Sequence, residues 1–169
     1  MATYTLIESQ VLGSSAASVT FSAIPATYTD LVLRASARGD TAGVIMNVNL
    51  QFNGVSGTSY SYTHLQGSGS AASSGRDSSQ PSSYVGYVDS ATATSNTFGS
   101  LEVYIPSYTA SQSKPVSTIS HQEDNNTLGF VRAYATLFSN SAAISSITLT
   151  TPSNFVANSS FYLYGIKNS

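Results

Sequence analysis

Apolar and polar residues alternate one for one over many short stretches of the chain. In an extended strand successive side chains point to opposite faces, so this alternation predicts strands with one face in a core. The clearest lie at 18–24, where Val19, Phe21 and Ala23 share a face, and at 30–38, where Leu31, Leu33, Ala35 and Ala37 alternate with Val32, Arg34, Ser36 and Arg38. A third lies at 47–53, with Val48, Leu50 and Phe52 opposite Asn47, Asn49 and Gln51. Strands are also predicted at 3–12, 59–65 (Tyr60, Tyr62 and His64 on one face), 84–89, 98–105, 116–123 and 144–150. Pro25 and Pro106 stop ladder pairing, and Asn53-Gly54 marks a tight turn because both residues tolerate positive φ. The stretch 128–138 fits a helical stripe through Val131, Ala135 and Phe138 as well as an alternation of Phe130, Arg132, Tyr134 and Thr136; weak helix-start signals favour a strand.

The closing stretch, 160–167, departs from the pattern. Phe161 and Leu163 share one face, and Tyr162, Tyr164 and Ile166 share the other, so both faces are apolar or aromatic. Such a strand needs cover on both sides. One side should belong to the core and the other to a further layer or a neighbouring subunit. About ten short strands separated by turn signals predict an all-β protein, a single antiparallel β-sandwich over 1–169. The run 66–83, rich in Gly, Ser and Ala, predicts a flexible loop that buries too little apolar area to offset its ordering entropy.

Composition agrees with this class. Charged residues form 8% of the 169, and 33 Ser and 18 Thr stand in their place. Thr suits strands and Ser suits turns, and neither favours helix interiors. Six Lys and Arg against eight Asp and Glu give a net charge of −2, which supplies no basic field for nucleic acid. No window approaches a membrane span, the first residues lack the basic start and apolar run of a secretion signal, and the absence of cysteine excludes thiolate chemistry. The small net charge leaves little repulsion between copies, which fits a protein that associates.

Catalytic chemistry is thinly provided. His121 and Glu123 would share a strand face as metal ligands could, but two ligands do not make a site, and a His near a polar turn explains them. Adjacent Glu123 and Asp124 point to opposite sides of a strand, unlike the facing pair of glycoside hydrolysis, although Glu8, Asp30, Asp89 and Glu102 could converge in space. Gly67-Ser68-Gly69 lacks the third glycine of a dinucleotide fingerprint, and no nucleophile elbow occurs. Tyr60, Tyr62, Tyr84, Tyr87, Tyr104, Tyr108, Tyr162 and Tyr164 fit three readings: lids on the core, protein contacts, or a sugar-binding platform.

The runs at 18–25 and 27–38, Phe52-Asn53-Gly54 with Tyr60-Ser61-Tyr62, the run at 98–108, and the ending 160–166 together resemble small virion structural proteins of tailed bacteriophages, including those infecting cyanobacteria. The resemblance spans nearly the whole chain, and its motifs are structural. It implies a jelly-roll-like sandwich that works as a capsid cement or decoration protein, or in the tail as a fibre or baseplate component. The resulting expectation is a non-enzymatic protein without cofactor or metal, located in the virion and favoured on the capsid surface. It would bind the major capsid protein or another virion protein as a homo-oligomer, with a trimer favoured. Tyr60, Tyr62, Tyr162, Tyr164 and Ile166 are the expected partner contacts. The alternative is a tail-associated receptor- or glycan-binding module.

Overall fold

The structure, a computed structural model, describes residues 3–126 and 128–168. Its regular elements are strands: β1 (Thr3–Val11), β2 (Ala16–Phe21), β3 (Asp30–Ala37), β4 (Ile45–Phe52), β5 (Tyr60–Gly67), β6 (Ala72–Gln80), β7 (Ser83–Asp89), β8 (Gly99–Ile105), β9 (Lys114–Glu123), β10 (Gly129–Phe138), β11 (Ile147–Phe155) and β12 (Ser160–Lys167). They form an eight-stranded sheet in the order β1-β12-β3-β8-β9-β10-β5-β6 and a four-stranded sheet in the order β2-β11-β4-β7. Neighbouring strands are antiparallel throughout.

This order defines the fold as a jelly roll. Take β2 to β7 as the first six jelly-roll strands, the β8-β9-β10 meander as the seventh, and β11 as the eighth. The small sheet then runs first, eighth, third, sixth, and the large sheet contains second, seventh, fourth, fifth, which is the order of two nested Greek keys. An odd number of strands in the meander keeps both of its edges antiparallel to their neighbours. β12 and β1 extend the large sheet beyond β3.

The alternation read from sequence is what builds the core. Leu31, Leu33 and Ala35 of β3, Leu101, Val103 and Ile105 of β8, and Phe161 and Leu163 of β12 point inward against Val48, Leu50 and Phe52 of β4 and Ile147 and Leu149 of β11. Gly86 brings β7 so close to β9 that a Cβ there would lie 2.2 Å from Ser120 Oγ. Gly165 plays the same part under the Tyr28 ring, 2.3 Å from the position of its absent Cβ. The 128–138 stretch is a strand: Arg132, Tyr134, Thr136 and Phe138 are buried and the residues between them are exposed, which is period two.

One expectation fails. The 66–83 run contains β6, paired with β5 from Gly67↔Ala72 to Tyr60↔Gln80. Its side chains are almost all exposed, so backbone hydrogen bonds hold it, and composition does not report on a backbone ladder. Gly75 lies opposite His64, where a Cβ would come within 2.7 Å of the ring. Arg76 and Asp77 put charge on this edge, which discourages edge-to-edge pairing with other chains.

Polar staples close the ends of the sandwich. Asn53, at φ 53 in the expected turn, accepts through Oδ1 from the Ser145 and Ser146 amides and donates through Nδ2 to the Ala143 carbonyl. The buried Lys114 ammonium donates to the carbonyls of Gln112, Asn140 and Ser141. Tyr108 donates to the Pro25 carbonyl and accepts from the Tyr28 amide, tying two loops together.

Tyr60 is 1% exposed; its ring stacks on Phe138 at 4.9 Å and its hydroxyl accepts from the Phe52 amide at 2.8 Å. Tyr60→Phe keeps the packing but leaves that buried amide without a partner, so it should cost about 1–3 kcal/mol. Urea unfolding with an unchanged m-value checks this; a loss much below that range would mean that the amide is satisfied otherwise.

Candidate functional site

The large sheet has one face in the sandwich and one face outside it. β12, β3, β8, β9, β10 and β5 place their outward residues in rows set by register. One row runs Tyr162, Arg34, Glu102, Ile119, Ala133, Leu65; the next runs Leu6, Tyr164, Val32, Tyr104, Ser117, Ala135, Thr63. Among the described residues, six of the nine exposed large hydrophobic residues lie on this face: Tyr4 and Leu6 on β1, and Leu65, Ile119, Val131 and Leu137 on β5, β9 and β10. Isolated exposed apolar residues are ordinary on a protein surface, but so many on one face are not.

At the middle of the face two opposite charges are paired. The Arg34 Nε donates to Glu102 Oε2 at 2.6 Å, and the guanidinium lies 5.8 Å from the centre of the Tyr4 ring. Tyr4 meets Tyr164 edge to face at 6.4 Å. Beside this group Arg34, Glu102, Ile119, His121, Ser160 and Tyr162 border a groove of about 390 Å³. Both ends of the ion pair are roughly half exposed, so it contributes on the order of 0–1 kcal/mol to stability.

The expected contact residues divide. Tyr162 and Tyr164 lie half-buried on the outer face, as their alternation with Phe161 and Leu163 requires. Ile166 points the same way but is 5% exposed. Tyr60 is in the core, so no partner of the folded chain can touch it. Tyr62 is 4% exposed on the inner face, edge to face with Tyr84 at 5.5 Å and with Tyr134 at 6.1 Å. The face of β5 was not legible because both of its sides carry residues that fit either environment; register with β10 decides it. Tyr104 is on the outer face, Tyr108 in the core, and Tyr84 and Tyr87 on edge strand β7.

The acidic residues are dispersed into structural tasks. Asp30 accepts from the Tyr104 hydroxyl, the Ser107 amide and Asn168 Nδ2. Asp89 accepts from Gln122 at 2.6 Å, Glu8 from Gln10, and Glu102 is held by Arg34. Glu123 is exposed while Asp124 is buried and accepts from the Thr94 amide, so the two point apart as alternation predicts. His121 and Glu123 do share the outer face, but among the described residues no three His, Asp or Glu side chains come together as a metal cluster. Sequence reasoning did not select Tyr4, Leu6, Ile119, Val131 or Leu137. A signal for the last two existed: 131–137 is apolar on its outward positions, like the closing strand.

No family model matches the chain, and no curated protein matches it. Among solved structures, galectin LEC-6 of Caenorhabditis elegans is similar at 13% identity over 88% of this chain and 96% of that one, with a TM-score of 0.31. That similarity is too low to carry an argument about function.

Burial raises the phenol pKa of Tyr60, Tyr62, Tyr104, Tyr108 and Tyr134 above the ordinary value. A raised acid pKa means that the unfolded chain ionises first. The corresponding stability is complete below pH about 10 and is lost as pH rises beyond it. Lys114, whose pKa burial lowers, acts in the opposite sense, but it is one group against five. Thermal melts should therefore hold a constant midpoint from neutral pH to about 9.5 and fall steeply above about 10; a midpoint that is flat to about 11.5 contradicts this burial pattern.

Proposed function

We propose that this protein is a non-enzymatic virion structural protein, a capsid decoration or cement protein that docks on the major capsid protein. The outer face of its eight-stranded sheet is the contact surface. The observation that carries this reading is that face itself: rich in exposed apolar side chains, built on paired strands, and with Arg34 and Glu102 at its middle already paired. Burying such a surface gives non-directional attraction with few charges to desolvate, which suits many equivalent copies on a shell. About 800 Å² per partner is enough for a specific contact. The net charge of −2 adds little repulsion between copies, and the resemblance of the runs at 18–38, 98–108 and 160–166 to phage virion proteins points to the same class.

A second reading, a tail-associated glycan-binding module, draws on the groove beside Tyr162. There an aromatic ring stands next to Arg34, Glu102 and His121, a combination that can stack on and hydrogen-bond to a sugar.

Imaging of purified virions separates the two readings. Decoration predicts density for this chain at repeated positions on the capsid, whereas density confined to the tail tip contradicts it. Replacing Tyr162 and Tyr164 together with Ser should leave a folded protein, because both side chains are only half-buried, yet reduce its incorporation into particles at least about tenfold. A variant that unfolds would instead place both tyrosines among the residues that hold the sandwich together. Full incorporation of a folded variant would remove the outer face from the contact.

A further inference from the structure

The inner face of the large sheet carries a feature that the outer-face reading does not use. β7 is an edge of the small sheet, and β5 and β6 lie at the far edge of the large one. Where β9, β10 and β5 pass the edge strand β7, the inward residues are polar. Arg132 of β10 sits between Ser120 of β9 and Gln66 of β5, and Tyr134 sits between Thr118 and His64.

Arg132 is 6% exposed and, among the described residues, has no carboxylate in salt-bridge range and no hydrogen bond. Its guanidinium carbon lies 3.9 Å from the centre of the Tyr87 ring and 5.3 Å from that of Tyr134. Those rings offer cation–π attraction to the flat of the guanidinium. They cannot satisfy its in-plane N–H groups, and the buried Nε is without a partner. The same holds for four buried neutral atoms on neighbouring residues: the Tyr134 hydroxyl, Thr118 Oγ1, His64 Nδ1 and Gln66 Oε1. Native proteins rarely leave one buried polar atom unmatched, and a buried charge costs most of all. Here five fall on residues that register makes neighbours.

We propose that this rim is a binding site for a small hydroxylated monocarboxylate, an acidic sugar in the first instance. Its carboxylate pairs with the edge of Arg132, and its hydroxyls engage Tyr134, His64 and Gln66. A guanidinium held by its flat face leaves its in-plane N–H groups over, and a carboxylate is the group whose geometry matches them. The charge count favours a monoanion: Arg132 supplies one positive charge, and Asp77, across the β5–β6 ladder from Tyr62, adds a negative field at Tyr62 and His64. A dianionic phosphate would meet more repulsion than attraction there. The Tyr84 ring, 38% exposed beside Tyr62, supplies apolar surface for the C–H face of a sugar ring. This site lies on the opposite side of the sheet from the proposed docking face, so either can fail without the other.

The test is titration of the full chain with sodium glucuronate, with glucose and inorganic phosphate as comparisons at constant ionic strength, followed by amide NMR. Glucuronate should give saturable shifts at 64, 66, 132 and 134 with an affinity in the range of about 0.1–10 mM, and glucose and phosphate should bind at least about tenfold more weakly. Arg132→Lys, which keeps the charge and loses the fork, should weaken glucuronate at least about tenfold. Tyr134→Phe, which removes only the hydroxyl, should weaken it by a smaller factor, and it serves if the lysine variant does not fold. No saturable shift below about 50 mM overturns the proposal. So does a response mapping elsewhere, phosphate binding as tightly as glucuronate, or folded variants that bind unchanged.

Discussion

The rest of the structure depends on a mismatch between its two sheets. Strands lie about 4.8 Å apart, so eight of them span roughly twice the width of four. The small sheet therefore covers only part of the inner face of the large one, while β7 closes down on β8, β9 and β10 through Gly86. Beneath the cover the interior is apolar, from Phe161 and Leu163 to Phe52 and Phe155. Toward its edge, where β7 lies over β9 and β10, the inward residues become polar: Arg132 under the Tyr87 ring, Tyr134, His64 and Gln66.

The outer face follows from the same mismatch. A jelly roll with equal sheets exposes two faces of similar size, whereas here β1 and β12 at one side and the β8-β9-β10 meander in the middle broaden one sheet into a platform. Tyr4, Tyr162, Tyr164 and Ile119 give that platform apolar relief, and Arg34 and Glu102 pair with each other at its middle. The reading of the protein as an assembly component rests on this geometry, together with a composition that supplies hydroxyls in place of charges.

Much of the fold was legible because alternation is a direct record of burial. Val19 and Phe21, Leu31 to Ala37, and Val48 to Phe52 all face the core as their spacing predicts. β6 was not legible, because Ser, Gly and Ala carry no hydrophobic signal when a strand is held by its backbone alone. The site was legible at Tyr162 and Tyr164, where partners of fixed orientation, Phe161 and Leu163, settle which way each side chain points. It was not legible at Tyr60 and Tyr62, whose strand has mixed residues on both faces. Nor was it at Arg132: a charge in an alternating stretch reads as an outward residue until Val131 and Ala133 are seen to hold the outside.

The central claim is that the outer face of the eight-stranded sheet is buried in the assembled state, and hydroxyl-radical footprinting of free and virion-bound protein tests it most directly. Tyr4, Tyr162 and Tyr164 should be oxidised severalfold more slowly when bound, while Tyr84 on the far edge of the sandwich keeps its rate. Equal oxidation of the three outer tyrosines in both states would contradict the account.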